Sequence, residues 1–375
     1  MRLIPQAVMV LDFGDLPIFE EATTYPSIVL AEKLSPIPSS ASRKQKTAPA
    51  PVEQNGQFLT ATFSNTKQLA SLADTIANIG FSMPISNLRS EGWALERPEV
   101  LSLMDKLRTV GKPLGEYVEG RFYYGIKTGL NEAFVIDEET KARLIAEDPK
   151  SANIFKPWLR GRDIRKWRAQ WAGQYLIAID SSSNKIWPWS FEENEATARP
   201  LFEREYPAVH RYMSQWEEKL RKRDDQGRFW WELRSCVYWD EFEKTKIVYQ
   251  EIATFQSFCY ADVGLICNNK CFLIPEKNDF FLGLLNSKLL WWYLGNLTSG
   301  LVGGARAMQM PYMEQLPIPD ASITQQTPII ELVQKILADP GNPDVQRIEA
   351  EVDRLIYDLY ELTDEERSLV INVKK

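Results

Sequence analysis

The sequence predicts an α+β protein, and three observations carry that expectation. Short β-rich runs and helical stretches are mixed without regular βαβ alternation. A Ser/Pro/Ala/Lys segment interrupts the chain near its start, and the C-terminal part reads as packed helices. At about 150 residues per domain, 375 residues make two domains or one large elaborated one. With 44% hydrophobic and 25% charged residues the chain sits at the average for globular proteins and can bury a sizeable core, which excludes disorder over its whole length.

The elements follow in order. Residues 8–13 (VMVLDF) and 27–31 (SIVLA) are short β-rich runs separated by GDLPIFEEATTYP, and two strands alone cannot form an independent domain. From 34 to 60 the composition shifts to Ser, Pro, Ala and Lys and reads as a linker or disordered insertion. Residues 61–112 read as a helical connector, with patterns at Lys67–Ile79 and Pro98–Arg108, the second opened by proline in its first turn. Between 113 and 320, strand-like runs at Arg121–Ile126, Ala133–Ile136, Tyr175–Ile179, Lys246–Glu251 and Cys271–Ile274 mix with helical stretches at Glu138–Glu147, Pro207–Lys222 and Asp279–Gly295. The segment 321–375 closes the chain with helices at Ile329–Leu337, Asp344–Leu362 and Asp364–Asn372, the last with Thr363 and Glu366 at capping-box spacing.

Composition narrows the chemistry. His210 is the one histidine, which excludes multi-histidine metal sites and counts against Ser-His-Asp triads and Cys-His dyads, since any of these would have to use that one imidazole. Cys236, Cys259, Cys267 and Cys271 are too few for a disulfide framework, and the N-terminus lacks a signal-peptide core, which points to a reducing cytoplasm. The Cys267/Cys271 pair lacks a fourth soft ligand at zinc spacing and reads as buried thiols. The most apolar run, Phe280–Leu294, spans about 15 positions broken by Asn286, Ser287 and Lys288, where a membrane span needs about 20. Against 51 acidic residues stand 44 basic ones, a net charge of −7, but affinity for phosphate depends on where the charge lies.

The strongest local charge is KPWLRGRDIRKWRAQW, Lys156 to Trp171. Lys156, Arg160, Arg162, Arg165, Lys166 and Arg168 stand there against Asp163 alone, with Trp158, Trp167 and Trp171 interleaved. Guanidinium groups hold phosphates or read guanine edges, and indoles stack on bases; the bland alternative is a solvated basic face whose tryptophans belong to the core. The Lys127-Thr128-Gly129 turn sets small and basic groups at a strand end, suited to a backbone contact or simply to a hairpin. Arg306, in the glycine-rich TSGLVGGARAMQMP (298–311), is a further candidate, although the spacing is not that of a P-loop and a structural turn competes. His210–Arg228 balances its cations with Glu217, Glu218, Asp224 and Asp225 and reads as a helix laced with i,i+4 pairs. Glu139–Lys141 and Glu217–Lys219 match the nuclease E-x-K pair only in helical, charge-rich contexts.

Several blocks in order, DFGDLPIFEEATTYPSIVL (12–30), YYGIKTGLNEAFVID (123–137), IFKPWLRGRDIRKW (154–167), YWDEFEKTKIVYQEI (238–252), FLGLLNSKLLWWYL (281–294) and MEQLPIP (313–319), resemble Taq-type adenine-specific DNA methyltransferases, type IIG-like fused enzymes included. By that resemblance, 1–33 is the C-terminal remnant of the methyltransferase catalytic domain, contributing two leftover strands, and 113–320 is the target-recognition (specificity) domain, a mixed domain with an irregular β-sheet and packed helices. The family binds S-adenosylmethionine through a glycine-rich motif and flips adenine against an NPPY-like motif; neither occurs in this sequence. The resemblance implies double-stranded DNA as partner, a chain that is either a truncated remnant or one half of a split enzyme completed by a separate catalytic chain, no cofactor, metal or catalytic residue in this chain, and no methyl transfer by it alone. It also places Phe19 where the family presents a ring to the flipped adenine; in the chain by itself, packing under Leu16 and Ile18 is the first reading of that residue. A metal-dependent nuclease and a non-DNA scaffold are the alternative classes.

Overall fold

The computed structural model describes residues 5–14, 16–19, 26–33, 56–63, 65–89, 92–93, 95–298 and 304–371. Most of the expected linker, 34–55, and residues 299–303 of the glycine-rich segment lie outside them. The chain divides into two compact units, one from residues 1–109, 292–307 and 363–375, the other from 110–291 and 308–362. The helical segment expected at 321–375 is therefore shared between the units.

In the first unit the two N-terminal runs pair antiparallel as strands Pro5–Asp12 and Ser27–Lys33. They are not alone. Gln57–Thr62 lies parallel to Pro5–Asp12, and Phe81–Pro84 pairs antiparallel with Gln57–Thr62, giving a four-stranded sheet. The expected linker thus runs too far, since its last four residues are strand, and the 61–112 connector is not wholly helical. The period of two explains both faces: Leu11, Phe13, Ala61 and Phe63 are buried on one side, Val10, Phe58 and Met83 on the other. Phe13 and Phe63 stack at 4.7 Å between ring centres. The closing helix Asp364–Ile371 starts as its sequence demands, Thr363 N–H donating to Glu366 Oε2 at 2.8 Å and Glu366 N–H to Thr363 Oγ1 at 3.3 Å.

The second unit contains, among the described residues, two small four-stranded sheets. In one the strands run in the order Ile266–Cys267, Phe155–Leu159, Gln174–Ile177, Val135–Asp137; in the other, Cys259–Ala261, Lys246–Gln250, Cys271–Ile274, Tyr123–Tyr124. Mixed helices and small sheets match the predicted α+β class. Gly125 fixes their junction: a Cβ there would lie 1.9 Å from Asn268 O, so only glycine lets the chain press against Cys267–Asn268 and bond Ile126 N–H to Cys267 O at 2.8 Å. Stacked aromatic rings fill part of the core, with Trp187 on Trp189 at 5.2 Å and Phe202 and Phe229 on Trp231 at 5.1 and 4.8 Å. His210 is buried beside Phe202, and burial lowers its pKa. The four thiols are free and buried, as their spacing predicts. No described helix is long and apolar enough to cross a membrane.

Candidate nucleic-acid interface

The basic segment folds as strand Phe155–Leu159, a short turn at Gly161–Asp163, and a hairpin pairing Ile164 with Ala169 and Arg165 with Arg168. Trp167 takes φ +71°, a conformation costly for a bulky side chain. Its surroundings hold it there. The indole is buried, its Nε1 donates to Glu349 at 2.6 Å, and its backbone N–H donates to Phe258 O at 3.0 Å. Trp158 is buried too, whereas Trp171 is exposed and meets Tyr175 edge-on. Two of the three tryptophans thus serve the fold.

The cations separate by what they touch. Lys156 pairs with Glu243 at 2.9 Å and Lys166 with Glu349 at 3.0 Å. Arg160 forks onto buried Asp163, Nε and Nη2 each donating at 2.7 Å. Burial pushes the Asp163 carboxyl up, but the Arg160 guanidinium and backbone N–H outweigh it and hold the pKa below the usual value. Arg165 stands opposite Arg168, an unfavourable pairing of like charges. It turns instead to the Arg162 and Ile164 carbonyls at 2.6 and 3.0 Å. Arg162 and Arg168 are exposed, and among the described residues neither has a carboxylate within 4.0 Å.

Arg160 and Arg162 line an open cleft of about 450 Å³ together with Trp158, Gln174, Asn131 and Lys270. Sequence reasoning missed Gln174, Asn131 and Lys270, which come from three separate segments. Gly125, whose lack of a side chain lets the chain press against Asn268 of the cleft wall, is a local signal for that one wall residue alone.

Other candidates fall elsewhere. Lys127 is exposed and paired with Asp225 at 2.7 Å. Thr128 is withdrawn from the contact set: it is 3% exposed, its hydroxyl bonds Asn131 at 2.7 Å, and its carbonyl accepts from buried Arg223. Gly129 turns with φ +70°, so this segment is a structural turn bound to Arg223. Arg306 belongs to the first unit, where it lies over Gly295 and lines a cleft with Glu96; burial lowers its pKa to about 10, and a packed guanidinium of this kind is a poor open phosphate contact. In the same unit, burial and then Asp12 raise the Glu96 pKa. The packing expected of Phe19 is corrected: it is 57% exposed, while Leu16 and Phe13 fill the core. The His210–Arg228 helices carry the expected pairs, Arg221–Glu217 and Lys222–Glu218. Both E-x-K pairs have structural partners: Lys141 binds Glu138, and Glu217 binds Arg199 and Arg221. No group of three or more His, Cys, Asp or Glu side chains able to hold a metal occurs among the described residues.

Residues 156–318, which contain the basic segment and most of the cleft, match the family model of the TaqI-like C-terminal specificity domain. The Type II methyltransferase M.BanIII of Aneurinibacillus aneurinilyticus is 22% identical over 238 residues, which is 60% of this chain and 39% of that protein. The type IIL restriction-modification enzyme MmeI, solved in complex with DNA, aligns with a TM-score of 0.50 at 12% identity, covering 98% of this chain and 45% of that one. The type IIG restriction endonuclease BpuSI aligns with a TM-score of 0.40 at 11% identity, over 95% of this chain and 43% of that one. The chain thus spans less than half the length of these proteins. Residues 156–318 are thus similar to TaqI-like C-terminal specificity domains.

Proposed function

We propose that the chain is the double-stranded-DNA recognition module of an adenine-specific (N6) DNA methyltransferase in a restriction-modification system of type IIG-like organisation. The observation that carries this reading is the cleft of the specificity domain, where Arg160 and Arg162 stand beside the amides of Asn131 and Gln174. Guanidinium and amide groups are the side chains whose geometry matches purine edges, and exposed Arg162 and Arg168 supply phosphate contacts. Neither the glycine-rich cofactor motif nor an NPPY-like motif occurs in the sequence, so S-adenosylmethionine and methyl transfer belong to a catalytic half outside these residues. Phe19, exposed on the first unit, is the ring that such a half would use against an extruded adenine. Four buried free thiols suit a cytoplasmic setting.

Fluorescence anisotropy with a labelled duplex, repeated from about 50 to 200 mM salt, tests the reading. Binding that weakens linearly in log–log form as salt rises is the expected result. No binding at low salt, or binding indifferent to salt, would overturn it.

A further inference from the structure

The cleft holds two guanidiniums in different states. Arg162 is exposed, with no carboxylate within 4.0 Å among the described residues. Arg160 is fixed: Nε and Nη2 donate to Asp163 Oδ2 and Oδ1, and Asp163 Oδ2 also accepts the Arg160 backbone N–H at 3.0 Å. Asp163 is 5% exposed and cannot swing away to solvent. This fork occupies one edge of the guanidinium plane. The other edge, made by Nη1 and the second proton of Nη2, stays available on a side chain that lines the cleft and is 23% exposed.

We propose that Arg160 reads a guanine in the major groove, its Nη1 and Nη2 edge donating to O6 and N7, with Asp163 as the residue that positions it. This rests on the DNA-recognition reading above. Two physical points favour a base over a phosphate. Asp163 cancels the charge of Arg160, which removes most of its long-range pull on phosphate but leaves its donors intact. A fixed plane also suits a target whose two acceptors lie side by side in one orientation, and guanine is the base that presents such a pair in the major groove. Phosphate attraction then falls to the cations not locked to a buried carboxylate, exposed Arg162 and Arg168 first.

Selection from a pool of randomised duplexes, with the full chain as wild type, Arg160→Lys, Asp163→Asn and Arg162→Ala, separates the roles. Wild type is expected to enrich a motif with a fixed guanine. Arg160→Lys keeps the charge and loses the fork, so its preference at that one position should fall about tenfold or more while its salt slope stays near the wild-type value. Asp163→Asn should fall in the same direction at that position, and Arg162→Ala should keep the motif and lose slope. Replacing the guanine by 7-deazaguanine, which lacks the N7 acceptor, should weaken wild type about tenfold and leave Arg160→Lys unaffected. Thermal melting of each variant excludes unfolding as the cause. An unchanged motif with Arg160→Lys, or an equal 7-deazaguanine penalty in both proteins, overturns the guanine assignment alone; a wild-type chain that binds no duplex overturns the DNA reading itself.

Discussion

Removing Arg162 and Arg168 together gives the most direct test of the proposed phosphate contacts. Both guanidiniums are exposed and lack a carboxylate within 4.0 Å among the described residues, so their loss strands no partner and should leave the fold intact. Each phosphate contact contributes roughly 0.9 to the slope of log affinity against log salt, so the double alanine variant should lose about 1.8. Between about 50 and 200 mM salt, a fourfold change, that difference amounts to about 12-fold. Wild type and variant should therefore differ most at low salt and converge as salt rises. The assay is duplex anisotropy over that range, with melting temperature as control. A variant with the wild-type slope would refute the reasoning and return the hairpin to a plain solvated face.

Other outcomes follow from particular contacts. Burial raises Asp180 from 3.8 to about 6, so its folded carboxyl favours the neutral form; that contribution is present at low pH and is lost as pH rises towards and past 6. Asp180→Asn should accordingly gain up to ~3 kcal/mol over wild type above pH 7 and little (about 0.5 kcal/mol) near pH 4, and a difference in melting temperature that is flat with pH would contradict this. Arg223 is buried and donates to the carbonyls of Thr128, Trp230 and Glu232, so Arg223→Met should cost about 3 kcal/mol and lower the melting temperature by roughly 6–12 °C; a loss under 2 °C would show those carbonyls find other donors. Phe19→Ala should leave stability within about 0.5 kcal/mol, because the ring is exposed, and a larger loss in chemical denaturation would restore a packing role. Titration calorimetry of the chain with S-adenosylmethionine should give no heat of binding; micromolar affinity would mean that these residues form a cofactor site without the glycine-rich motif.

Elements with local causes were legible in the sequence. Glu138–Glu147 matches its helical pattern to the residue, with Asp137 accepting from Thr140 N–H at 2.8 Å, and Thr363 and Glu366 close the cap their spacing predicts. Asn286 and Ser287, which interrupt the apolar run, also divide the expected Asp279–Gly295 helix into Asp279–Leu285 and Lys288–Leu297. Asn286 spends its amide on the Phe258 backbone, donating to the carbonyl at 2.9 Å and accepting from the N–H at 3.2 Å, and a single continuous helix would forfeit both bonds. Elements with distant causes were not legible. Phe155–Leu159 contains Lys156 and Pro157 and shows no alternation; it is a strand because Gln174–Ile177 and Ile266–Cys267 flank it. Gln57–Thr62 was lost at the end of a Pro/Ser-rich stretch for the same reason, its partners lying about fifty residues before and some twenty after it.

The same distinction governs the site. Six cations in Lys156–Arg168 would each contribute about 0.9 to the salt slope if all met phosphate, about 5.4 in total. The structure engages four of them with Glu243, Asp163, Glu349 and the backbone, which leaves two, worth about 1.8, unengaged before DNA arrives. These pairs do not hold equally. Lys156–Glu243 and Lys166–Glu349 are single-contact pairs at a partly exposed surface, worth about 0–1 kcal/mol, and a phosphate can exchange into them. Arg160–Asp163 is bidentate onto a buried carboxylate and keeps its partner when DNA arrives. On the proposed reading, contact with DNA therefore recruits Lys156 and Lys166 before Arg160. A wild-type contribution from this segment of about 3.6, dropping by about 0.9 with Lys166→Ala and hardly at all with the double variant Arg160→Gln/Asp163→Asn, is the expected outcome, and a full 0.9 lost with that double variant would show that the Arg160 charge, and not its fixed edge, is what DNA meets.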